Sequence, residues 1–541
     1  MKKYITIFAA LSGLFVAFSS CKKAFLDEKP FSSYTPSNLT DSLGFEASLI
    51  GLYNHTSTYF SYADQQGWPS VWQVGTDVAN ATNNQQGIEI PYYNYATLTS
   101  TDGAAARSWN RGFIMINLTN IIIDGIENPS LTTLSVKGKT MVSAEAKFFR
   151  AYAYNNLATL FGGVPLVTHA LIDPKTDFVR APINDVNSFI VSDLLFAAAN
   201  LPDIESVKTN TKGKIYGRAN KFMAMQLLAE VYLRIGKPDL AEQQAQAIIS
   251  SGKFSLIRNR YGVKTSQAGD YYSDMFQYGN QRRSQGNTEA IWVLEQENPA
   301  SVVGGISDSP QQRRVFGAAY FNIAGLALAD SLGGRSVGRL RLSNWVLYGL
   351  YKGNDIRNSQ YNIRRRYYYN DPNPIYAARY GKQVPFTGPD TLMNICPSTT
   401  KWGAFDPNDT FGYAMIKDFI LMRLGETYLL LAEAQVKQGK TVEAAASINA
   451  LRTRAGADQV MPSQMTLNFI LDERARELIG EENRRMTLMR TGTLVERALR
   501  LNSNDASKPI SGLTTKNLLL PIPLTEIQLN KDAVLTQNPG Y

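Results

Sequence analysis

The stretches LAEVYLRIGKPDLA (residues 228–241) and LAEAQVKQGKTVEA (residues 431–444) decide the fold. In the first, Leu228, Ala229 and Tyr232 share one helical face, Gly236 stops the helix, and Ala241, Ala245 and Ile248 line a returning helix. In the second, Tyr428, Leu431 and Ala432 share a face, Gly439 stops the helix, and Ala444, Ile448 and Leu451 line the return. Leu228, Ala229, Gly236 and Ala241 match Leu431, Ala432, Gly439 and Ala444 at identical offsets. Small alanines let two antiparallel helices approach, and each glycine lets the chain reverse between them.

Hairpins of this tetratricopeptide type bury their faces by stacking. The two are far apart in the chain, so insertions must interrupt the array. Outward from them, residues 41–53 read as a helix capped by Asp41 or Ser42, with Leu43, Ala47, Ile50 and Tyr53 as its stripe. Residues 107–126 carry Trp109, Phe113, Ile116 and Ile121 at helical spacing; residues 140–160 form a long helix that stops at Gly162-Gly163, with Pro165 beyond. A further helix is expected over 464–489. The span of about 253–412 is rich in Tyr, Asn, Gly, Arg and Pro and holds one strand candidate, 290–294. Trp109 and Trp292 sit inside periodic elements and read as core. The fold class expected is therefore mostly α: a tetratricopeptide-like helical-hairpin scaffold with long, irregular, loop-rich insertions and few short strands.

The chain has 541 residues and a formal net charge of +9, which raises nucleic acid or an anionic surface as a partner. The basic residues are scattered, and the densest cluster is Arg364-Arg365-Arg366, followed by Tyr367-Tyr368-Tyr369. Arginine beside aromatics can grip a single strand, but the pattern is also that of a solvated edge strand or loop. The amino terminus favours the latter, with no nucleic acid as partner. Lys2 and Lys3 precede an apolar run from Ile5 to Phe18 that is too short for a comfortable membrane span, and Ser19-Ser20 precede Cys21. Residues 1–20 read as a signal peptide and Cys21 as a lipidation site, with plain secretion as the alternative because Phe18 departs from the usual leucine. Residues 21–40, with Pro30 and Pro36, read as a lipid-anchored tether, and 41–541 as one domain. Cys396 then lacks a disulfide partner, and His55 and His169 lack neighbours that would complete a metal site. No metal or cofactor is expected.

Six ordered blocks of sequence resemble the SusD/RagB family of outer-membrane nutrient-binding lipoproteins. Phe25-Leu26-Asp27 and Pro30 resemble the segment after the lipidated cysteine, and AEAKFFRAYAYNNLATLFGGV (144–164) is similar to the family's most recognisable helix. Gly217-Arg218-Ala219 leads into the next block. Arg423, Glu426, Tyr428, Glu433 and Ala434 stand at the places of R-x-x-E-x-Y-L-x-x-A-E-A, and INALRTRAG (448–456) follows. Pro521-Ile522-Pro523 and QNPGY (537–541) match the family ending, while Glu482-Asn483-Arg484-Arg485-Met486 departs from the usual glycine and aromatic. The resemblance implies a surface lipoprotein of the cell outer membrane. Such a protein captures an oligosaccharide or polysaccharide and delivers it to a SusC-like TonB-dependent barrel; a peptide ligand is the alternative from the RagB branch.

Enzymatic chemistry is weakly signalled. Glu473, Glu477 and Glu481 recur on one helix face, as the paired carboxylates of a glycoside hydrolase would, but Arg474, Arg476, Arg484 and Arg485 are interleaved, so salt bridges are the better reading. P-loop, dinucleotide and G-x-S-x-G signatures are absent. No catalytic residue is expected. A sugar site pairs flat aromatic rings with amides, carboxylates and guanidiniums. Residues 60–95 have that mixture, with Tyr62, Trp72 and Asp77 beside Trp68, Asn83, Asn84, Tyr92 and Tyr93. The insertion adds Tyr271, Tyr272, Arg314 and Trp402 around Arg313 and Tyr320. The ligand-binding residues expected are Trp68, Asn83, Asn84, Tyr92, Tyr93, Arg313 and Tyr320. Trp68, Tyr92 and Tyr93 are expected in solvent-accessible loops, because a buried loop would strand its backbone polar groups.

Overall fold

The computed structural model describes residues 39–60, 66–299, 302, 310–388, 390–403, 415–502 and 508–541. The expected signal peptide at 1–20, the Cys21 lipidation site and the tether up to residue 38 lie outside the described residues, as does Tyr62.

Helix α1 (Ser42–Phe60) starts where the Asp41 carboxylate accepts a hydrogen bond from the Gly44 N–H at 2.8 Å, and it runs about two turns past Tyr53. Asp102 caps α2 (Gly103–Glu127) and Ser135 caps α3 (Val136–Phe161), which ends on Gly162 at φ 75°. Helix α4 (Ile183–Asn200) lies between the helices read from sequence. The two matched hairpins are α5 (Lys221–Arg234) with α6 (Pro238–Ser250), and α7 (Leu424–Lys437) with α8 (Thr441–Arg454). Their turn glycines adopt the same left-handed backbone, Gly236 at φ 73° and Gly439 at φ 74°.

Each helix from α2 to α8 packs on the next, and this includes α6 on α7 across the whole insertion. The hairpins separated in sequence are therefore direct neighbours in space, and the insertion is looped out of an unbroken stack. Glu242 of α6 marks the join: its carboxylate accepts Gln438 Nε2 at 2.8 Å and Lys440 Nζ at 2.5 Å from the second hairpin. The matched Leu228, Ala229, Ala241, Leu431, Ala432 and Ala444 are all buried.

The strands are short. β1 (Ala79–Ala81) pairs antiparallel with β3 (Leu340–Leu342), and β2 (Ala290–Leu294) with β4 (Phe419–Arg423), the latter register placing Val293 opposite Ile420. Trp292 of β2 is core, packed edge-on against Phe148 at 5.4 Å, and Trp109 is core as expected.

The helix expected over 464–489 is instead two, α9 (Leu467–Leu478) and α10 (Arg484–Arg490), followed by α11 (Leu494–Leu501). The break is at Gly480, whose φ of 76° no helix tolerates and whose carbonyl accepts Trp402 Nε1 at 2.8 Å. Among the described residues no helix is long and apolar enough to cross a membrane.

Residues 67–95 are not a surface loop. Residues 67–82, with Tyr92, Tyr93 and Tyr95, form a strap buried between the helical stack and α10, interrupted by a loop at 83–91 on which Asn83 is exposed, and three of the backbone carbonyls that burial would strand are satisfied by one guanidinium. Arg485 donates to the carbonyls of Val71 at 3.0 Å, Val74 at 2.5 Å and Tyr92 at 3.2 Å, and to the Tyr95 hydroxyl at 2.7 Å. Tyr95 Oη in turn donates to the Gly75 carbonyl at 3.0 Å, and β1 pairs with β3.

Candidate functional site

The strap, the end of α1 and the β2–β4 pair enclose a cavity of about 190 Å³. Its aromatic lining is assembled from separate parts of the chain. Trp68 and Trp72 meet edge-to-face at 5.0 Å, with Tyr59 edge-on to Trp68 at 6.2 Å. In a second cluster, Trp402 lies 5.2 Å from Phe419 and stacks on Phe316 at 6.3 Å, while Phe60 sits 5.4 Å from Phe419. The strap's own sequence, WPSVW, explains the first cluster: Pro69 starts a short 3₁₀ turn that brings residues 68 and 72 together.

The polar side comes from the helices. Asn156 of α3, Glu230 of α5, Glu426 of α7, and Glu482, Asn483 and Arg490 near α10 face the space. Arg474 bridges two of the carboxylates, donating Nη2 to Glu426 Oε1 at 2.8 Å and to Glu482 Oε2 at 2.8 Å. Burial nevertheless raises the Glu426 carboxyl above its ordinary value, whereas Glu482, also buried but held by Arg474 and Arg484, lies below it. The lining combines apolar rings with carboxylate, amide and guanidinium groups, which suits a ligand with flat C–H faces edged by hydroxyls.

The glutamates of α9 do not face this cavity as an acid–base pair. Glu477 accepts Arg423 Nη1 at 2.6 Å and Arg357 Nη1 at 2.9 Å, and Arg454 is a third partner. Glu473 accepts from Arg452 and Arg476 and forms an ion pair with Arg357. They form salt bridges, as the interleaved arginines imply, but most partners come from other elements, and both glutamates are buried. Among the described residues no group of three or more His, Cys, Asp or Glu is placed to hold a metal ion.

The residues singled out from sequence are mostly inside. Trp68 and Tyr92 are 0% exposed and Tyr93 8%, so the expectation of one solvent-accessible aromatic surface is overturned. The reason is polar satisfaction at each ring. Trp68 Nε1 donates to the Tyr59 carbonyl at 2.7 Å, Tyr92 Oη to the Asp102 cap of α2 at 2.7 Å, and Tyr93 Oη to Gln85 at 2.7 Å. Trp68 belongs to the cavity lining, while Tyr92 pins the strap to the helical stack. Tyr320 is also buried, its ring stacked on Tyr367 at 6.0 Å and its hydroxyl donating to the Gly334 carbonyl at 2.8 Å. Arg313 is buried in a short helix, Gln312–Phe316. Asn83 alone of the seven is exposed; Asn84 is half-buried and donates to the Val337 carbonyl at 2.5 Å. Asp77, in the same stretch, is a buried structural anion paired with Arg484 at 2.6 Å and Arg497 at 2.8 Å. Trp72 and Trp402 line the cavity, and the WPSVW spacing is the signal that ties Trp72 to Trp68.

Comparison with known proteins places this geometry in a family. Residues 24–233 match a family described as "Starch-binding associating with outer membrane", and residues 348–541 match the "SusD family". A SusD-like protein of Formosa agariphila is 24% identical over 96% of both chains, and the starch-binding protein SusD of Bacteroides thetaiotaomicron is 32% identical over 23% of this chain and 22% of that one. Among solved structures, a surface glycan-binding protein of Bacteroides thetaiotaomicron in complex with laminarihexaose superposes with a TM-score of 0.71 at 18% identity, covering 92% of this chain and all 100% of the other. A laminarin-binding SusD-like protein superposes with a TM-score of 0.67 at 23% identity, covering 93% of this chain and 100% of that one.

Proposed function

Since the chain belongs to the SusD/RagB family, we propose that it captures an oligosaccharide or polysaccharide at the cell surface without chemically altering it. The observation that carries this reading is the cavity lined by the rings of Trp72 and Trp402, with Trp68 behind them, together with Asn156, Glu426 and Asn483. Rings of this kind stack on sugar faces, and the amides and carboxylates take up hydroxyls. Relatives named for laminarin and starch binding support the ligand class. Asn83, exposed on the loop beside the strap, is proposed as an outer contact, with Asn84 holding that loop. Tyr92, Tyr93, Arg313 and Tyr320 position the loops from beneath, and Trp68 backs the cavity.

The proposed setting is the outer membrane. Residues 1–20 are removed on export, Cys21 carries the lipid, residues 21–40 are the tether, and residues 41–541 fold as one domain that hands its ligand to a SusC-like TonB-dependent barrel. Fractionation of a Cys21→Ser variant checks the anchor: the variant leaves the membrane fraction, and its retention there overturns the lipoprotein reading.

An arrayed glycan screen with a peptide panel, followed by calorimetry on the hits, tests the ligand. A saccharide is expected to bind and to weaken in Trp402→Ala without being cleaved. Binding confined to peptides, or release of shortened product from the saccharide, overturns the proposal.

A further inference from the structure

The looped-out insertion carries a second open cleft, of about 570 Å³, that shares no lining residue with the aromatic cavity. Its floor is the extended run that starts at the Ile363–Arg364 strand, paired with Ser398–Thr399. Arg364, Arg366 and Tyr368 recur at the two-residue period that puts side chains on one face of extended chain, and all three line the cleft. Tyr367, between them, is turned into a small core with Tyr320 and Cys396.

The charges around the cleft do not cancel. Arg260 is paired with Asp274 at 2.6 Å, and Lys264 stands 3.9 Å from Asp330. The three successive arginines have no carboxylate partner among the described residues. Arg364 donates its two Nη groups to the carbonyls of Leu332 at 2.6 Å and Ser331 at 2.7 Å, Arg365 donates to the Leu347 carbonyl at 2.8 Å, and Arg366 is exposed with its guanidinium unpaired. The carbonyl contacts fix Arg364 and Arg365 in place but do not neutralise them, and Asp330, whose charge acts on Arg364, is shared with Lys264, Lys417 and Arg313, so a net positive charge remains. A neutral sugar does not compensate it. A carboxylate or a sulfate ester does, because each presents two oxygens to the planar guanidinium fork. Tyr368, half exposed on the same face as Arg366, adds a flat ring for a sugar's C–H face.

Resting on the saccharide-binding reading above, we propose that this cleft binds the anionic substituents of a charged saccharide, a uronate carboxylate or a sulfate ester, with Arg366 and Tyr368 as its outer contacts.

The test is calorimetry on the full-length protein with an oligogalacturonate, a sulfated carrageenan oligosaccharide, neutral laminarihexaose and an oligothymidylate as a polyanion that is not a saccharide. One of the two charged saccharides is expected to bind about ten-fold more tightly than laminarihexaose, and which one does so names the anion. That advantage shrinks in roughly 0.5 M NaCl, where exposed charges are screened within a few ångströms. Arg366→Gln removes about ten-fold of the affinity for the charged saccharide, leaves laminarihexaose binding and the thermal midpoint unchanged, and Arg366→Lys restores part of the loss. Equal affinity for charged and neutral saccharides, an unaltered Arg366→Gln, or an oligothymidylate bound as tightly as the charged saccharide each overturns the cleft assignment while leaving saccharide binding intact. Silence of every saccharide overturns both readings.

Discussion

Arg423 Nη1 donates to Glu477 Oε1 at 2.6 Å, and neither side chain reaches solvent. The pair joins the end of β4 to the C-terminal end of α9. Arg357 of the insertion and Arg454 of α8 close on the same carboxylate, so one anion locks three segments to the helix. Glu289 takes the other faces of Arg423 and Arg454, at 3.2 and 2.7 Å. Breaking a buried ion pair leaves uncompensated charge, and removal of one partner typically costs about 3–5 kcal/mol. Glu477→Gln is therefore expected to lower unfolding free energy by an amount of that order. Urea titration reads it directly, and a loss under about 1 kcal/mol would show that the network is worth no more than a surface pair.

Acid should unfold the protein through the same network. The Glu473 carboxyl is pulled from 4.5 to about 2 by Arg357, Arg476 and Arg452 against the opposing cost of burial, and Glu477 lies well below its ordinary value for the same kind of reason. A carboxyl whose folded pKa is depressed contributes stability that is fully present above the unfolded value and lost as pH falls through the folded one. For Glu473 the window runs from about 4.5 down to about 2, and the contribution is of order 3 kcal/mol. Thermal melts should hold steady from neutrality to about pH 5 and then decline. Glu473→Gln is expected to be less stable at neutral pH and to show a shallower acid limb; an acid limb identical to that of the unsubstituted protein would contradict the assignment.

Arg485 predicts a loss of another kind. Its guanidinium serves the carbonyls of Val71, Val74 and Tyr92, and its charge lies over the Tyr92 ring at 4.7 Å. Arg485→Leu strands those acceptors in a dry interior and should cost about 3 kcal/mol or more. Arg485→Lys keeps the charge but not the planar fork, and should fall between. Hydrogen exchange on residues 71–95 locates the damage: the strap amides should exchange faster in both variants while those of α5 and α6 keep their protection.

The turn glycines test the equivalence of the two hairpins. A Cβ at Gly236 or Gly439 meets nothing within 4 Å, so alanine there is penalised by the left-handed backbone alone. Each substitution should cost about 1 kcal/mol, the αL penalty less the entropy gained by restricting the unfolded chain. Equal losses at the two sites are the expected result of chemical denaturation. A loss confined to one site would mean that the repeats differ in more than their insertions.

The helical scaffold was legible because its signals are local. Leu228 and Leu431 with their alanines and glycines mark the hairpins, Asp41 marks the start of α1, and Gly162-Gly163 the end of α3. Helix α4 was missed although Val186, Ile190, Leu194 and Ala197 form its buried stripe; it lay between stronger signals. The 464–489 helix was over-extended because Gly480 is read as tolerable inside a periodic run until its left-handed backbone is seen. The site was hardly legible. Whether residues 67–95 are surface or interior depends on Arg485, some four hundred positions away in sequence, and no periodicity within the strap records that partner. Asn-rich, aromatic, aperiodic sequence reads as loop, and the step from loop to surface is the one that failed. The adjacent arginines in residues 482–486 held the missing information, since Arg484 satisfies Asp77 and Arg485 satisfies the strap.

Alanine substitutions in the strap separate its interior from its rim. Trp68 packs against Trp72 and Tyr59 and lies under the Arg107 guanidinium at 4.8 Å, and Tyr92 carries the bond to the cap of α2. Truncating a buried aromatic of this size typically costs about 3–5 kcal/mol, so Trp68→Ala and Tyr92→Ala should both melt early. Tyr92→Phe removes only the hydroxyl and leaves the Asp102 carboxylate one partner short, for a smaller loss of about 1–3 kcal/mol. Asn83, exposed on the adjoining loop, should change stability by no more than about 0.5 kcal/mol when made alanine, so any change in saccharide affinity at that position is a contact effect. Melts and binding isotherms on the same four proteins make the distinction. If Trp68→Ala keeps the melting temperature of the unsubstituted protein, the ring is not holding the strap. If Asn83→Ala binds saccharide unaltered, the outer contact lies elsewhere on the loop face.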